Sequence, residues 1–316
     1  MGGIMKRVVF GAVLATILAV PAFAADQFLN ILTGGTSGVY YPLGNALSSI
    51  YGKALPGARV TVQATKASVE NLNLLQMGRG ELAFTLGDSL TQAWDGVEEA
   101  GYKAPLKKLR TMAAIYPNYI QIVATADSGI KTLADLKGKR VSVGAPKSGT
   151  ELNARAIFKA AGLAYSDMKV QYLPFGESVE LMKNKQLDAT LQSAGLGVSS
   201  LRDLATGDDI VIVAISPEVI AKTGDSAYIA SVVPANTYRG QTVDVPTAAV
   251  RNFLVTHEGV PAELVYGMTK AMFTNMPDLL AAHSAAREID PAHAAKSPIP
   301  LHPGAEKYYR EAGLLK

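Results

Sequence analysis

The chain has 316 residues, 30 Lys and Arg against 27 Asp and Glu, and no cysteine. Near-neutral charge gives no electrostatic case for binding nucleic acid or anionic lipid, and the absence of cysteine excludes disulfides, a thiol nucleophile and cysteine metal sites. About 290 residues beyond the N-terminal leader suffice for two ordinary domains.

The first 24 residues carry Lys6 and Arg7, an apolar run from Val8 to Val20, and then Ala22-Phe23-Ala24. This is the pattern of a secretory signal peptide cleaved after Ala24, and the apolar run is short for a membrane span. Without Lys6 and Arg7, 28 basic residues stand against 27 acidic ones, a net charge near +1.

An apolar run with Phe28, Leu29, Ile31 and Leu32 reads as a strand, and TGGTSGVYYPLG, residues 33–44, leads from it into a helix. Its glycines let backbone approach a ligand, Thr36, Ser37 and the helix start suit an anion, and Tyr40-Tyr41 could wall an apolar part; an ordinary connecting turn is the alternative. Arg59 to Ala64 alternates like a strand. Ser68 then reads as the N-cap of a helix bearing Val69, Leu72 and Leu75 and closing at Gly78. Leu82 to Leu86 is a strand ending in a polar turn, Gly87-Asp88-Ser89, before a helix around Gln92 to Trp94. Leu109 to Ile115 is a strand that Pro117 is expected to break.

Tyr119 to Thr125 begins a second α/β set. Val141 to Gly144 leads into APKSGTE and a helix from Leu152 to Ala161. Further strands are expected at Val170 to Leu173, Ala189 to Leu191 and Ile210 to Ala214, with helices at Ser178 to Lys185 and Ser199 to Ala205. The chain then runs through Tyr228 to Val233 into a Pro- and Gly-containing crossing, and Ala248 to Thr256 returns as a strand before a helix from Pro261 to Asn275 and a short terminal helix. Alternating strands and helices argue for parallel sheets covered on both faces.

GAPKSGTE, residues 144–151, misses the P-loop because Thr150-Glu151 stand where Lys and Ser/Thr are required. His257-Glu258 begins an HExxH, but Pro261 occupies the place of the second histidine. His283, His293 and His302 scatter through the tail. Ser128 to Lys131 fits S-x-x-K without its companion motifs, and no G-x-S-x-G occurs. The reading is therefore of no catalytic set, no metal and no cofactor. Polar turns at comparable strand ends, Gly87 to Ser89, Phe175 to Ser178 and Gln192 to Gly195, join the two glycine-rich turns in suggesting one ligand held between two lobes.

Four stretches in order, TGGTSGVYYPLG, SVENLNLLQMGRGELAF, SGIKTLADLKGKRVSVGAPKSGTE and LHPGAEKYYREAGL, resemble the TAXI family of solute-binding proteins from TRAP transporters. The likeness runs from about residue 27 to the C-terminus. It implies an α/β fold of periplasmic binding protein type II: two lobes joined by a two-crossing hinge, with the ligand in the cleft. It also implies a monomer that delivers a small organic anion (glutamate, 2-oxoglutarate or a related dicarboxylate or amino acid) to a fused-type TRAP permease. Lobe 1 would comprise residues 25–119 and 235–316, and lobe 2 residues 120–234. Carried onto this sequence, the ligand-binding residues are Gly35, Thr36, Ser37, Gly38, Tyr40, Ser148, Gly149 and Thr150, with Thr65, Ser68, Asp88, Ser89, Phe175, Ser178, Gln192 and Gly195 at the accompanying turns.

The chain departs from the family at Lys66-Ala67-Ser68, where Gly-Ser is common, at Lys147, and at Asp188 to Gly195, where an aromatic-rich pattern is usual. Two lysines facing the cleft would suit a ligand with two acidic groups; exposure to solvent is the alternative. A secreted hydrolase or lyase on this scaffold, and a ligand-binding partner of a sensor kinase, are the competing functions.

Overall fold

The computed structural model describes residues 27–316, so the signal-peptide reading lies outside the described residues. Within them ten strands form one sheet: β1 (Gln27–Leu32), β2 (Ala58–Gln63), β3 (Leu82–Leu86), β4 (Leu109–Thr125), β5 (Arg140–Ser142), β6 (Lys169–Gln171), β7 (Ala189–Ala194), β8 (Ile210–Val213), β9 (Ile229–Val233) and β10 (Val245–His257). The main path runs β2-β1-β3-β10-β4-β7-β5-β6, with β8 on β4 and β9 on β10.

The sheet is mixed, a correction to the all-parallel expectation. β1 pairs in parallel with β2 and β3, and β5 with β6 and β7, as βα connections require. Between these groups β4 and β10 run antiparallel to each other and to their other neighbours. Both change partners along their length: residues 252–255 of β10 pair with β3 and residues 245–249 with β9, while residues 119–124 of β4 pair with β7.

Pro117 does not end a strand. β4 continues through it, because Pro117 sits opposite Arg251 and the register shifts between Arg251 and Phe253. Such an irregularity is where a strand tolerates a residue without an N–H.

The helices are α1 (Tyr40–Ala54), α2 (Ser68–Gln76), α3 (Gly87–Asp95), α4 (Gly149–Ala160), α5 (Phe175–Lys183), α6 (Ser199–Gly207), α7 (Pro217–Ala221), α8 (Ala262–Thr274), α9 (Met276–Ala282) and α10 (Pro303–Glu311). Three buried clusters hold them to the sheet. One joins α1 to α8 and α10 through Leu43, Leu47, Met268 and Tyr309; a second sets α4 on β5 and β7 through Ile157, Phe158, Val141 and Leu191; the third lies under α2 and α3 around Leu72 and Leu90. Among the described residues no helix is long and apolar enough to cross a membrane.

Three local expectations change. Ser68 is the first residue of α2 and not its cap; its hydroxyl accepts from the Leu86 N–H at 3.1 Å instead. Gly87-Asp88-Ser89 is no open turn, since α3 begins at Gly87 and all three residues are buried. Gln192-Ser193-Ala194 belongs to β7, because pairing with β4 carries the strand to Ala194 opposite Tyr119.

Candidate functional site

Four helices begin around one cavity. Its lining includes Val39 and Tyr40 at the start of α1, Ala67 and Ser68 at α2, Ser148 and Gly149 at α4, and Pro174 and Phe175 at α5. Only Ser148 caps its helix with a side chain, accepting from the Glu151 N–H at 3.2 Å. The first-turn N–H groups of a helix have no partner within the helix, and its dipole favours negative charge there, so this convergence provides backbone donors of the kind that suit an anion.

The cavity is about 130 Å³. Since roughly 10–15 Å³ of such space holds one water, it suits a ligand of about ten non-hydrogen atoms. Val39, Leu86, Ala194 and the rings of Tyr40 and Tyr116 give an apolar wall. No carboxylate or imidazole lines it among the described residues, and Lys66, exposed at the rim, is its one cation.

Most polar groups in the wall are tied to each other. The Tyr40 ring stacks on Phe84 at 5.0 Å, and its hydroxyl donates to Asn252 Oδ1 at 2.5 Å. Asn252 Nδ2 donates to Asn118 Oδ1 at 2.8 Å and to the Tyr116 carbonyl at 2.9 Å, and Asn118 Nδ2 to the Ser193 carbonyl at 2.8 Å. Burial pushes the Tyr40 hydroxyl well above its ordinary range, so it stays protonated. Thr65 accepts from the Ala67 N–H and donates to Asn71 Oδ1 or the Thr33 carbonyl, while Asn71 Nδ2 donates to the Thr33 and Phe84 carbonyls. Two hydroxyls are uncommitted. Thr150 bonds none of the described residues, and Tyr116 Oη is buried with no partner among them.

The structure gathers nine of the expected residues at the cavity: Gly35, Gly38, Tyr40, Thr65, Ser68, Ser148, Gly149, Thr150 and Phe175. Seven stand elsewhere. Thr36 is exposed, and Ser37 contributes its carbonyl to a bond from Ser199 Oγ at 3.0 Å. Asp88 and Ser89 are enclosed in α3, and Ser178 bonds Ser142 and the Pro174 carbonyl. Gln192 accepts from Ser200 on the face of β7 opposite Ser193. Gly195 packs behind the wall, where a Cβ would lie 2.9 Å from Ala285 and 3.4 Å from the Tyr116 ring. Lys147 is exposed and outside the lining.

Sequence reasoning missed Tyr116 and Asn118, and placed Ser193 in the turn from Gln192 to Gly195 without naming it as a ligand-binding residue. The alternation of Tyr116 and Asn118 about Pro117 was the available signal, hidden by taking the proline as a break.

Ala67 holds φ 69° and ψ −151°, a region essentially reserved for glycine, beside the cavity. Ala67→Gly is expected to stabilise the fold by about 1 kcal/mol, the strain relieved being partly offset by a freer unfolded chain. Urea unfolding checks this; an equal loss would show that the backbone there is unstrained.

A model of a family described as NMT1-like matches residues 31–313. Solved structures share the fold at low identity. One described as a periplasmic transporter superposes with a TM-score of 0.59 at 12% identity, covering 93% of this chain and 94% of that one. PhnD1 from Prochlorococcus marinus (MIT 9301) in complex with methylphosphonate gives 0.58 at 12% identity, covering 92% of this chain and 100% of that one. The alkanesulfonate-binding protein SsuA from Xanthomonas axonopodis pv. citri bound to MOPS gives 0.50 at 16% identity, covering 93% and 96%. The fold is the α/β fold of type II periplasmic binding proteins.

Proposed function

We propose that this chain, which belongs to the NMT1-like family, is a periplasmic solute-binding receptor that captures a small organic anion between two lobes and hands it to a membrane permease. The observation that carries the reading is the convergence of four helix N-termini on one cavity without a buried cation. Structures of the same fold hold methylphosphonate and MOPS, both with acidic head groups, which fits. A wall without carboxylate or imidazole favours binding over hydrolysis.

The finer assignment, a TAXI-type receptor delivering a dicarboxylate or acidic amino acid to a TRAP permease, rests on the four sequence stretches. The lobes would be residues 25–119 with the C-terminal segment, and the central segment from residue 120. We place the return crossing inside β10 near Ala249, later than residue 235, because residues 245–249 pair with β9. Contacts between the lobes would then include Ser199 Oγ to the Ser37 carbonyl, the Glu70 N–H to the Lys147 carbonyl at 3.3 Å, Arg155 Nη1 to the Glu99 carbonyl at 3.0 Å, and the buried bonds from Asn153 and Tyr228 to Asp88. Closure is a population shift driven by ligand contacts to both sides.

The test is calorimetry on protein unfolded, dialysed and refolded to remove carried-over ligand, with dicarboxylates, hydroxy acids and acidic amino acids. At least one should bind. Thr150→Ala should weaken that ligand by about 1–3 kcal/mol, as for loss of one buried hydrogen bond, whereas Thr36→Ala should change it by under about 0.5 kcal/mol. No binding across the panel would remove the ligand class, and equal effects at both threonines would move the site.

A further inference from the structure

A buried polar cluster stands directly behind the cavity. Asp88, in the first turn of α3, accepts through Oδ2 from Asn153 Nδ2 at 2.6 Å and from the Tyr228 hydroxyl at 2.9 Å. All three side chains are buried. A carboxylate only accepts, so the amide nitrogen of Asn153 must face Asp88 and its oxygen must face away. Ser193 lies on that other side, and its hydroxyl donates to Asn153 Oδ1 at 2.6 Å. A serine hydroxyl has one proton, so Ser193, which lines the cavity, has only lone pairs left for a ligand.

We infer that Asp88, acting through Asn153, is a positioning residue that holds Ser193 as a hydrogen-bond acceptor, so that the cavity selects anions that also carry a donor, such as a hydroxyl or an ammonium, over isosteres offering only acceptors. The inference rests on the anion-receptor reading above. It gives a role to a buried charge that does not itself line the cavity. In Asp88→Asn the new amide can donate to Asn153, which is then free to turn its nitrogen to Ser193. The Ser193 proton is released to the cavity, where the hydroxyl can donate as well as accept, and the preference for a donor is largely lost.

The experiment compares 2-hydroxyglutarate with 2-oxoglutarate at pH 7.5. The two carry the same charge and differ at C2, a hydroxyl that can donate against a ketone that only accepts. The natural protein should bind the hydroxy acid about tenfold or more tightly. That ratio should fall at least about fivefold in Asp88→Asn, and in Ser193→Ala should it prove that Asp88→Asn does not fold. A natural protein that binds both equally, or a ratio unmoved in the folded variants, overturns the inference. Neutron diffraction of the protein crystallised in the closed form, with Asn153 on Asp88, gives a readout independent of ligand choice. A deuteron on Ser193 directed at Asn153 Oδ1 supports the assignment, and Asn153 deuterons directed at Ser193 refute it. Should the deuteron lie as expected while neither acid binds, the choice of ligand class falls and the acceptor assignment stands.

Discussion

Gly149→Val is expected to weaken ligand binding about a hundredfold while leaving the ligand-free protein folded. Gly149 opens α4, and a Cβ built there would lie 2.6 Å from Ser68 Oγ and 2.7 Å from Leu86 Cδ1. The serine cannot swing aside without giving up its bond from the Leu86 N–H. Overpacking of this kind costs about 1–3 kcal/mol, and the upper end corresponds to some hundredfold in affinity. In the proposed two-lobe reading α4 follows the crossing in β4, while Ser68 and Leu86 precede it, so the clash would be relieved by separating the two sides of the cavity. The unliganded melting temperature should therefore move little, and calorimetry should show the loss in affinity. Unchanged affinity would mean that the contact between α4 and Ser68 is no part of the bound state.

The two glycine-rich helix starts were legible because they are local. TGGTSG and PKSGTE each show strand, glycine, hydroxyl and helix within a dozen residues, and the structure sets Gly35, Gly38, Ser148, Gly149 and Thr150 at one cavity. What was not legible depends on partners far along the chain. Asp88 read as part of an open turn, yet the groups that enclose it, Asn153 and Tyr228, lie 65 and 140 residues away. Ser193 read as loop because its strand continues only through antiparallel pairing with β4, a partner that no periodicity in 189–194 reveals. Pro117 concealed Tyr116 and Asn118 for the same reason: the register shift that accommodates it lies in β10.

Holding an anion on helix N-termini, as proposed, would have a consequence for the protein without ligand. A buried lysine or arginine would leave an uncompensated charge each time the ligand departed, at a cost of several kcal/mol. Orphan N–H groups carry partial charge and can be hydrated in an open cleft. The ligand could then leave without stranding an ion, which would suit the proposed receptor role.

The buried carboxylate behind the cavity makes stability depend on pH in a direction opposite to that of paired surface acids. Burial pushes the Asp88 carboxyl up to about 6, from an ordinary 3.8, against the opposing hydrogen bonds from Ser89 and Tyr228. Between those values the folded chain holds a proton that the unfolded chain has lost, so stability falls as pH rises. The contribution is complete below about pH 4 and is lost as pH passes 6; two units at 1.36 kcal/mol each give about 3 kcal/mol. Asp127, Asp135 and Asp188, held below the usual carboxylate range by hydrogen bonds from Lys185, Thr132 and Arg140 respectively, act in the opposite sense. The Asp88 effect is therefore isolated as a difference. Urea unfolding of the natural protein and of Asp88→Asn from pH 4.5 to 7.5 should give curves that separate by about 2 kcal/mol across the range, with the natural protein losing stability relative to the variant as pH rises. A constant difference would show that Asp88 has the same proton affinity folded and unfolded, and that its carboxylate is hydrated where the structure encloses it.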